Sequence, residues 1–175
     1  MKVAITYKSR TGNTKQVAEA MRDELKSEEI VYFGTPEREI DADVYFIGSW
    51  TDKGTCDGEI TELLQVMEGK KIAFFGTAGF GGSKEYYQAL SARACGVIPA
   101  SNQVLGSFYC QGKMPMAVRD HYVNLLREHP EDQKLEVSVQ NFDDALSHPD
   151  ESDLTNAAEW ARAMMQVAGR ELTKF

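Results

Sequence analysis

The chain has 175 residues, a formal net charge of −8 and 42% hydrophobic residues, which is typical of one folded domain with a substantial core. This acidic balance argues against nucleic-acid binding, which needs a basic face. The three cysteines lack CxxC spacing and indicate neither a disulfide framework nor a zinc site. No apolar run is long enough to cross a bilayer, and no secretory signal pattern opens the sequence, so we expect no membrane insertion and a cytoplasmic location.

The first predicted elements are a buried strand over Lys2–Tyr7 and a helix from about Asn13 to Lys26, joined by the polar turn Ser9–Thr14. A strand, a turn and a helix start in this order favour an anion site. The reason is that the first N–H groups of a helix lack backbone partners and face the ligand. Gly12 lets the backbone approach a phosphate closely. Hydroxyl donors come from Ser9, Thr11 and Thr14.

Apolar runs and amphipathic helical patterns alternate along the next hundred residues. The further strands predicted are Ile30–Phe33, Val44–Gly48, Lys71–Gly76 and Gln103–Cys110, with helices about residues 60–67 and Tyr86–Cys95. Near-continuous apolar strands separated by helices are typical of a parallel sheet covered on both faces, whereas an antiparallel sheet would alternate apolar and polar residues. We therefore predict an α/β fold, a three-layer doubly wound sandwich with a five-stranded parallel sheet. Ligands on such a sheet bind beyond the carboxyl ends of the strands.

The loops after the third and fourth strands each place a large aromatic side chain among glycines. These loops span residues 48–58 and 76–83, and their aromatic residues are Trp50 and Phe80. Flat aromatic faces beside a phosphate turn describe a pocket for a planar ring on a phosphorylated tail. Each aromatic residue also has an ordinary alternative: Trp50 as a core or rim residue, and Phe80 as a partner contact. Tyr86, at the start of the next helix, either faces the pocket or only packs.

At these residues the sequence resembles the flavodoxin family. Ser9–Thr14 matches the T/S-x-T-G-x-T phosphate loop of that family. Gly48–Gly54 resembles its first flavin-flanking loop, and Gly76–Ser83 resembles its second. The resemblance covers roughly residues 1–112. It implies the strand order 2-1-3-4-5, flavin mononucleotide (FMN) held without covalent attachment, and a role in electron transfer.

The resemblance also implies a set of cofactor-binding residues. They are Ser9, Arg10, Thr11, Gly12, Asn13 and Thr14 in the phosphate loop, Ser49, Trp50, Thr51, Asp52, Lys53 and Gly54 in the first ring loop, and Thr77, Ala78, Gly79, Phe80 and Gly81 in the second, together with Tyr86. Two departures from the family pattern bear on the chemistry. The second ring loop has no acidic residue, and negative charge near the ring disfavours an anionic reduced flavin. Arg10 either pairs with the phosphate or points to water.

The sequence also excludes several other kinds of nucleotide, metal and catalytic site. The turn after the first strand has one glycine, so it is neither a G-x-G-x-x-G dinucleotide fingerprint nor a G-x-x-x-x-G-K-[ST] phosphate loop. His121, His129 and His148 have no metal-ligand spacing with acids or cysteines. No serine lies in a G-x-S-x-G elbow, and no cysteine has a recognisable histidine partner. We therefore predict no catalytic residue and no metal.

The final third, residues 113–175, is a more divergent helical and acidic segment of the same predicted domain. Helices are predicted over Met116–Arg127 and Leu154–Ala168, and one of them should cover the open sheet face. The inward side of the last helix is formed by Ala158, Ala161, Met165 and Ala168. Between these helices, Glu131–Asp153 is acidic and weakly periodic, which indicates a solvated linker or a docking surface, with the linker favoured.

Three functions are compatible with these patterns. The favoured one is an FMN-binding electron-transfer protein that delivers electrons to a partner reductase, since the chain is small and acidic and lacks substrate-binding motifs. The alternative is an NAD(P)H-dependent FMN reductase or quinone reductase, which needs space above the ring for a second planar molecule. The third is a binding module of the same shape without flavin. The identity of the redox partner and the oligomeric state stay open.

Overall fold

The alternation of strands and helices predicted from the sequence extends through residues 1–170, the part of the chain that the structure, a computed structural model, describes. The strands are β1 Lys2–Lys8, β2 Glu29–Gly34, β3 Val44–Asp52, β4 Thr55–Cys56, β5 Lys71–Ala78 and β6 Gln103–Gln111. The helices are α1 Asn13–Glu24, α2 Gly58–Val66, α3 Lys84–Cys95, α4 Met116–Glu128, α5 Gln133–Ala145 and α6 Glu151–Arg170. Residues 171–175 of the predicted domain lie outside the described part.

Five strands form a parallel sheet in the order β2-β1-β3-β5-β6. The two-residue β4 pairs antiparallel with the end of β3 and stands outside this order, so the predicted order 2-1-3-4-5 is confirmed. The strand order reverses between β1 and β3, and the register brings their carboxyl ends side by side, with Lys8 opposite Ser49. Trp50 in turn lies opposite Thr77 at the end of β5. Ligands of doubly wound sheets bind at this switch point.

Both faces of the sheet are covered, which explains why its strands are apolar at successive positions. Val3 and Ile5 belong to the core between the sheet, α1 and α6, while Ala4 belongs to the core under α2 and α3. Alternate residues of a strand point to opposite faces, so a sheet buried on both sides needs apolar residues throughout. The last helix, α6, covers the open face as expected. Its buried side consists of Ala157, Ala161, Met165 and Ala168, with Ala157 in place of the predicted Ala158.

The acidic segment between the last two predicted helices is not a linker. Residues 133–145 form α5, whose N-terminus is capped by the Asp132 carboxylate. Phe142 and Ala145 are fully buried, and α5 packs against α4. Arg119 of α4 donates to both carboxylate oxygens of Asp143 in α5, at 2.6 and 3.0 Å. The linker prediction was wrong because α5 buries so few positions that its periodicity is weak among the acidic residues.

No helix within residues 1–170 combines the length and the apolar character needed to cross a membrane.

Candidate functional site

The polar turn after β1 carries the chain into α1 through a left-handed residue. Gly12 has a φ of 91°, a conformation that glycine adopts without the steric cost of a Cβ atom. The hydroxyl oxygen of Ser9 accepts hydrogen bonds from the backbone N–H groups of Gly12 at 3.1 Å and Lys15 at 3.3 Å. Ser9 therefore fixes the shape of the turn, and its own hydroxyl proton remains available to a ligand.

The start of α1 presents backbone donors that the protein itself does not use. The N-cap residue, Gly12, has no side chain with which to cap this helix. The N–H of Gln16 reaches the Gly12 carbonyl at 3.0 Å. Among the described residues, nothing accepts a hydrogen bond from the backbone N–H of Thr11, Asn13 or Thr14. Free N–H groups at the positive end of a helix dipole form a binding site for an anion such as a phosphate.

Asn13 connects this turn to the segment that follows β6. Its side-chain nitrogen donates to the hydroxyl of Thr11 at 3.0 Å and to the carbonyl of Lys113 at 2.8 Å. Its Oδ1 atom is buried and has no hydrogen-bond partner within residues 1–170. A buried acceptor without a donor is costly, and a hydroxyl donor on a bound molecule would satisfy it. The turn thus fits a ligand that combines an anionic group with hydroxyl groups.

Three threonines link the start of α1 to the ends of β3 and β5. The hydroxyl groups of Thr14 and Thr77 are hydrogen bonded at 2.9 Å, and both residues are buried. The hydroxyl of Thr51 donates to the Thr77 carbonyl at 2.9 Å. These bonds join the helix start to two strand ends, so the polar turn Ser9–Thr14 has a rigid support.

Trp50 lies on β3 itself, because the strand continues to Asp52 and not to Gly48 as predicted. Its indole N–H donates to Oδ2 of Asp57 at 2.9 Å, while Oδ1 of Asp57 caps α2 by accepting the N–H of Glu59. The N–H of Asp57 in turn donates to the hydroxyl of Ser49 at 2.8 Å. The indole is therefore anchored to a helix cap.

Arg10 lies against this indole. Its guanidinium carbon is 5.2 Å from the centroid of the Trp50 ring, within the range of a cation–π interaction. Lys8, at the end of β1, is instead paired with Glu59, and this hydrogen bond is the main reason that the pKa of Lys8 is raised. The two cations of this stretch thus have different partners: Lys8 a carboxylate on α2, and Arg10 an aromatic face.

A cavity of about 200 Å³ lies between the phosphate turn, Trp50 and the end of β5. The predicted residues that line it are Arg10, Thr11, Asn13, Trp50, Thr51, Thr77, Ala78 and Gly79. The structure adds a wall that the sequence did not indicate, formed by Gly112, Lys113, Met114, Pro115 and Val118. Four chain segments, which follow or end β1, β3, β5 and β6, therefore meet in one cavity.

The other predicted residues do not line this cavity. Ser9, Gly12, Thr14 and Ser49 support its wall through the contacts described above. Asp52, Lys53 and Gly54 belong to the β3–β4 hairpin, whose turn residues Lys53 and Gly54 both have positive φ. Phe80 is 38% exposed, and the ring of Tyr86 lies 6.1 Å from that of Tyr87. Gly81 is bonded to α5, as described next.

The second predicted ring loop is held by a side chain of α5. Asn141 donates from Nδ2 to the Gly79 carbonyl at 3.1 Å, and its Oδ1 accepts the N–H of Gly81 at 3.3 Å. Gln111, the last residue of β6, donates to the same Gly79 carbonyl and to Asn141, both at 3.1 Å. Sequence reasoning missed Asn141 because its segment was interpreted as a linker. Gln111 had a usable signal, its place at the carboxyl end of a strand.

The segment after β6 lies close to the turn after β1 and to the loop after β5. This is possible because Gly112 in that segment and Gly79 in the loop after β5 have no side chains. The N–H of Gly112 donates to the Ala78 carbonyl at 2.9 Å, and a Cβ atom on Gly112 would lie 2.5 Å from Nδ2 of Asn13. A Cβ atom on Gly79 would lie 2.4 Å from the sulfur of Met114. Larger residues at either position would push the cavity walls apart.

Buried cysteine and tyrosine side chains near the site are poor acids. Burial raises the pKa of the Cys110 thiol on β6 far above its usual range, and the thiol is therefore inert at neutral pH. Burial also raises the pKa of Tyr87 in α3 to about 12. Neither side chain supplies a nucleophile or a base at neutral pH.

Comparison with known proteins relates this geometry to a family. The model of the flavodoxin domain family matches residues 4–162. A flavodoxin-like domain-containing protein named BilS from Clostridioides difficile (strain CD3) is 34% identical over 172 residues, covering 94% of this chain and 97% of the relative. The protein of the same name from Clostridium symbiosum (strain WAL-14163) is 37% identical over 188 residues, covering 97% and 98%.

Solved structures share the fold at lower identity. Oxidised Flavodoxin 2 from Bacillus cereus has a TM-score of 0.54 and 16% identity, covering 95% of this chain and 99% of its own. The flavodoxin of Streptococcus pneumoniae TIGR4 has a TM-score of 0.58 and 14% identity, with the same coverage.

Proposed function

This chain belongs to the flavodoxin domain family, and from that premise we propose that it binds FMN in the cavity at the strand ends and transfers electrons to a partner protein. The acceptor we propose is a separate reductase that docks over the ring loops. The flavin, when bound, accepts and releases the electrons, while the protein supplies position and electrostatics.

The observation that carries this proposal is the unused donor set at the start of α1. The backbone N–H groups of Thr11, Asn13 and Thr14 have no acceptor in the described part of the chain and sit at the positive end of the helix. The hydroxyl of Ser9, which acts only as an acceptor within the turn, adds a further donor for a phosphate. The buried Oδ1 atom of Asn13 has no donor within residues 1–170, which suits the hydroxyl groups of a ribityl chain.

The ring is proposed to lie between Trp50 and the loop 77–81. Trp50 provides a flat apolar face whose orientation is fixed by the bond to Asp57. The loop is fixed by Asn141 and Gln111, so its backbone groups keep one arrangement around the ring. Phe80, which is 38% exposed, extends an apolar surface from this loop toward a docked partner.

A visible absorption spectrum of the purified protein tests the proposal. We expect bound flavin, or yellow protein after incubation with FMN, and tighter binding of FMN than of riboflavin because riboflavin lacks the phosphate. Replacement of Thr14 by a bulky apolar residue should weaken FMN binding at least tenfold, since the buried bond between Thr14 and Thr77 would be lost and the start of α1 would be displaced. A protein that stays colourless contradicts the proposal.

Mixing the loaded protein with NADH or NADPH separates a carrier from a reductase. An electron carrier should keep its oxidised spectrum until a separate reductase is added. Rapid bleaching by the nicotinamide alone would contradict the carrier function and favour a stand-alone oxidoreductase.

A further inference from the structure

The wall of the cavity has the opposite charge to the molecule as a whole. The chain carries a formal net charge of −8. Yet the charged residues among those that line the cavity are Arg10 and Lys113, and none of the lining residues described is acidic. We infer, on the basis of the proposed function, that Arg10 and Lys113 make this site bind reduced, anionic flavin more tightly than oxidised flavin.

Arg10 is placed for a role at the ring and is not needed for the phosphate. Its guanidinium lies over the Trp50 indole at 5.2 Å, and no carboxylate within residues 1–170 forms an ion pair with it. The phosphate turn has its own donors, which are backbone N–H groups and hydroxyls. Because Trp50 is the aromatic wall of the proposed ring site, a cation held on its face lies at the ring end of the cavity.

Lys113 is fixed on the opposite wall through its backbone. Its carbonyl accepts hydrogen bonds from Asn13 at 2.8 Å and from the hydroxyl of Thr11 at 3.4 Å. Its N–H donates to the carbonyl of His148 at 3.0 Å. The residue therefore keeps its place beside the turn after β1, it lines the cavity, and its side chain is exposed.

The acidic groups closest to Trp50 and Lys8 already have hydrogen-bond or ion-pair partners. Asp57 is the carboxylate bonded to Trp50, but it lies at the edge of the indole and its oxygens already accept two N–H groups. Glu59 is paired with Lys8. Residues 76–83 contain no acid at all. Asp52, on the β3–β4 hairpin, does not line the cavity, so the charged residues of the lining are both basic.

The chemistry of flavin makes this charge consequential. Oxidised flavin takes up two electrons and one proton to give a reduced ring with one negative charge. Positive side chains near the ring stabilise that anion, and acidic ones disfavour it. Arg10 and Lys113 should therefore raise the two-electron reduction potential of bound FMN, because the reduced form gains more from binding than the oxidised form does.

The experiment compares the flavin-loaded wild type with Arg10→Gln, Lys113→Gln and Lys15→Gln. The ratio of the dissociation constants of oxidised and reduced FMN is obtained from titration of the oxidised form and from the two-electron midpoint potential during reduction by dithionite. We expect Arg10→Gln to lower this ratio about tenfold, which is about 30 mV for a two-electron couple. Lys113→Gln should also lower this ratio, but by a smaller factor, because the side chain of Lys113 is exposed.

Lys15→Gln is the matched control. It removes one positive charge from the same helix start, but Lys15 points away from the cavity toward Glu19, 3.9 Å distant. The ratio of the dissociation constants of oxidised and reduced FMN should be the same in Lys15→Gln as in the wild type. An equal loss in Lys15→Gln and Arg10→Gln would overturn the inference, because it would indicate a general charge effect.

Riboflavin separates a ring role from a phosphate role. If Arg10 acts at the ring, Arg10→Gln changes FMN and riboflavin affinity by the same factor. A loss confined to FMN would make Arg10 a phosphate ligand and overturn the inference. Failure of the wild type to bind either flavin would overturn the proposed function itself, whereas normal binding with an unchanged redox ratio in Arg10→Gln would overturn only this inference.

The flavin-free protein gives an independent check. Arg10→Gln should change the emission of Trp50 while the circular dichroism and Tm stay those of the wild type, with Trp160 as a constant background. Unchanged emission would contradict the contact between Arg10 and Trp50.

Discussion

At the scale of single residues, Asn13 and Gly12 determine how the site is assembled. Asn13 bonds to Thr11 in its own turn and to Lys113, 100 residues away along the chain. Gly12 turns the chain in the left-handed conformation that starts α1. One residue thus shapes the phosphate turn, and its neighbour attaches the turn to the opposite wall of the cavity.

Replacing Gly12 by alanine should destabilise the protein through backbone strain alone. A Cβ atom on Gly12 would meet nothing within 4 Å, but its φ of 91° is one that residues with a side chain rarely adopt. We expect Gly12→Ala to lower the free energy of unfolding of the flavin-free protein by about 1 kcal/mol, measured by urea denaturation.

Gly58→Ala is the matched control for this strain. A Cβ atom on Gly58 also has free space, and Gly58 is the first residue of α2. This change should leave the stability unchanged or raise it slightly. Equal losses in both variants would mean that the left-handed conformation is not the cause.

At the scale of elements, the helical pair α4–α5 consists of a helix that was predicted, α4, and one that was not, α5. It follows β6 directly, and the segment between them forms one wall of the cavity. Helix α5 also fixes the loop after β5 through Asn141. An acidic segment expected to be a linker thus stabilises the site.

Removal of the Asn141 side chain should loosen the second ring loop. Asn141→Ala removes the side-chain acceptor of the Gly81 N–H. It also leaves the side chain of Gln111 as the remaining side-chain donor to the Gly79 carbonyl. We expect a loss of stability of about 1–2 kcal/mol and faster hydrogen exchange at Gly81. Gln140→Ala is the control, since Gln140 is exposed and bonds only to Asp144 on its own helix. Unchanged exchange at Gly81 in Asn141→Ala would refute the role assigned to this side chain.

The ion pair between α4 and α5 predicts a pH-dependent contact. The hydrogen bond from Arg119 holds the pKa of Asp143 below its usual range. A carboxyl group whose pKa is lowered on folding stabilises the folded state above its unfolded pKa of about 4, and this contribution is lost as the pH falls through the folded value. We therefore expect Asp143→Asn to lower Tm at neutral pH, with the difference from the wild type narrowing between about pH 5 and pH 3.

Asp144→Asn provides the comparison, because Asp144 is exposed and accepts from Gln140 without an ion pair among the described residues. Thermal unfolding followed by circular dichroism measures both variants. A Tm difference for Asp143→Asn that does not change over this pH range would show that the ion pair is not its origin.

At the scale of the whole molecule, the residues that form the hydrophobic cores and those that line the cavity lie in different parts of the sheet. The two cores lie on the faces of the sheet, and the cavity lies at the carboxyl ends of β1, β3 and β5. The strand ends are free to carry polar turns because the helices already bury the apolar faces. Charge is separated in the same way: the molecule is acidic, while the cavity wall is basic.

Much of the fold could be predicted from the sequence, because strands and helices follow from local periodicity. The near-continuous apolar runs predicted a parallel sheet covered on both faces, and the order of its strands is confirmed. The phosphate turn was also visible locally, since Ser9–Thr14 is one short stretch whose geometry depends on its own hydroxyl groups and on Gly12.

The other walls of the candidate site could not be predicted, because their contacts join residues far apart in the chain. Asn141 and Gly79 are 62 residues apart, and neither has a pattern that points to the other. The same holds for Lys113, which was assigned only to a divergent segment. The sequence by itself therefore determined the sheet, its covering helices and the polar turn Ser9–Thr14, which depend on local spacing. Only the tertiary structure decided which side chains close the cavity and that Arg10 lies on Trp50, because those contacts exist only once the strand ends and α5 are packed together.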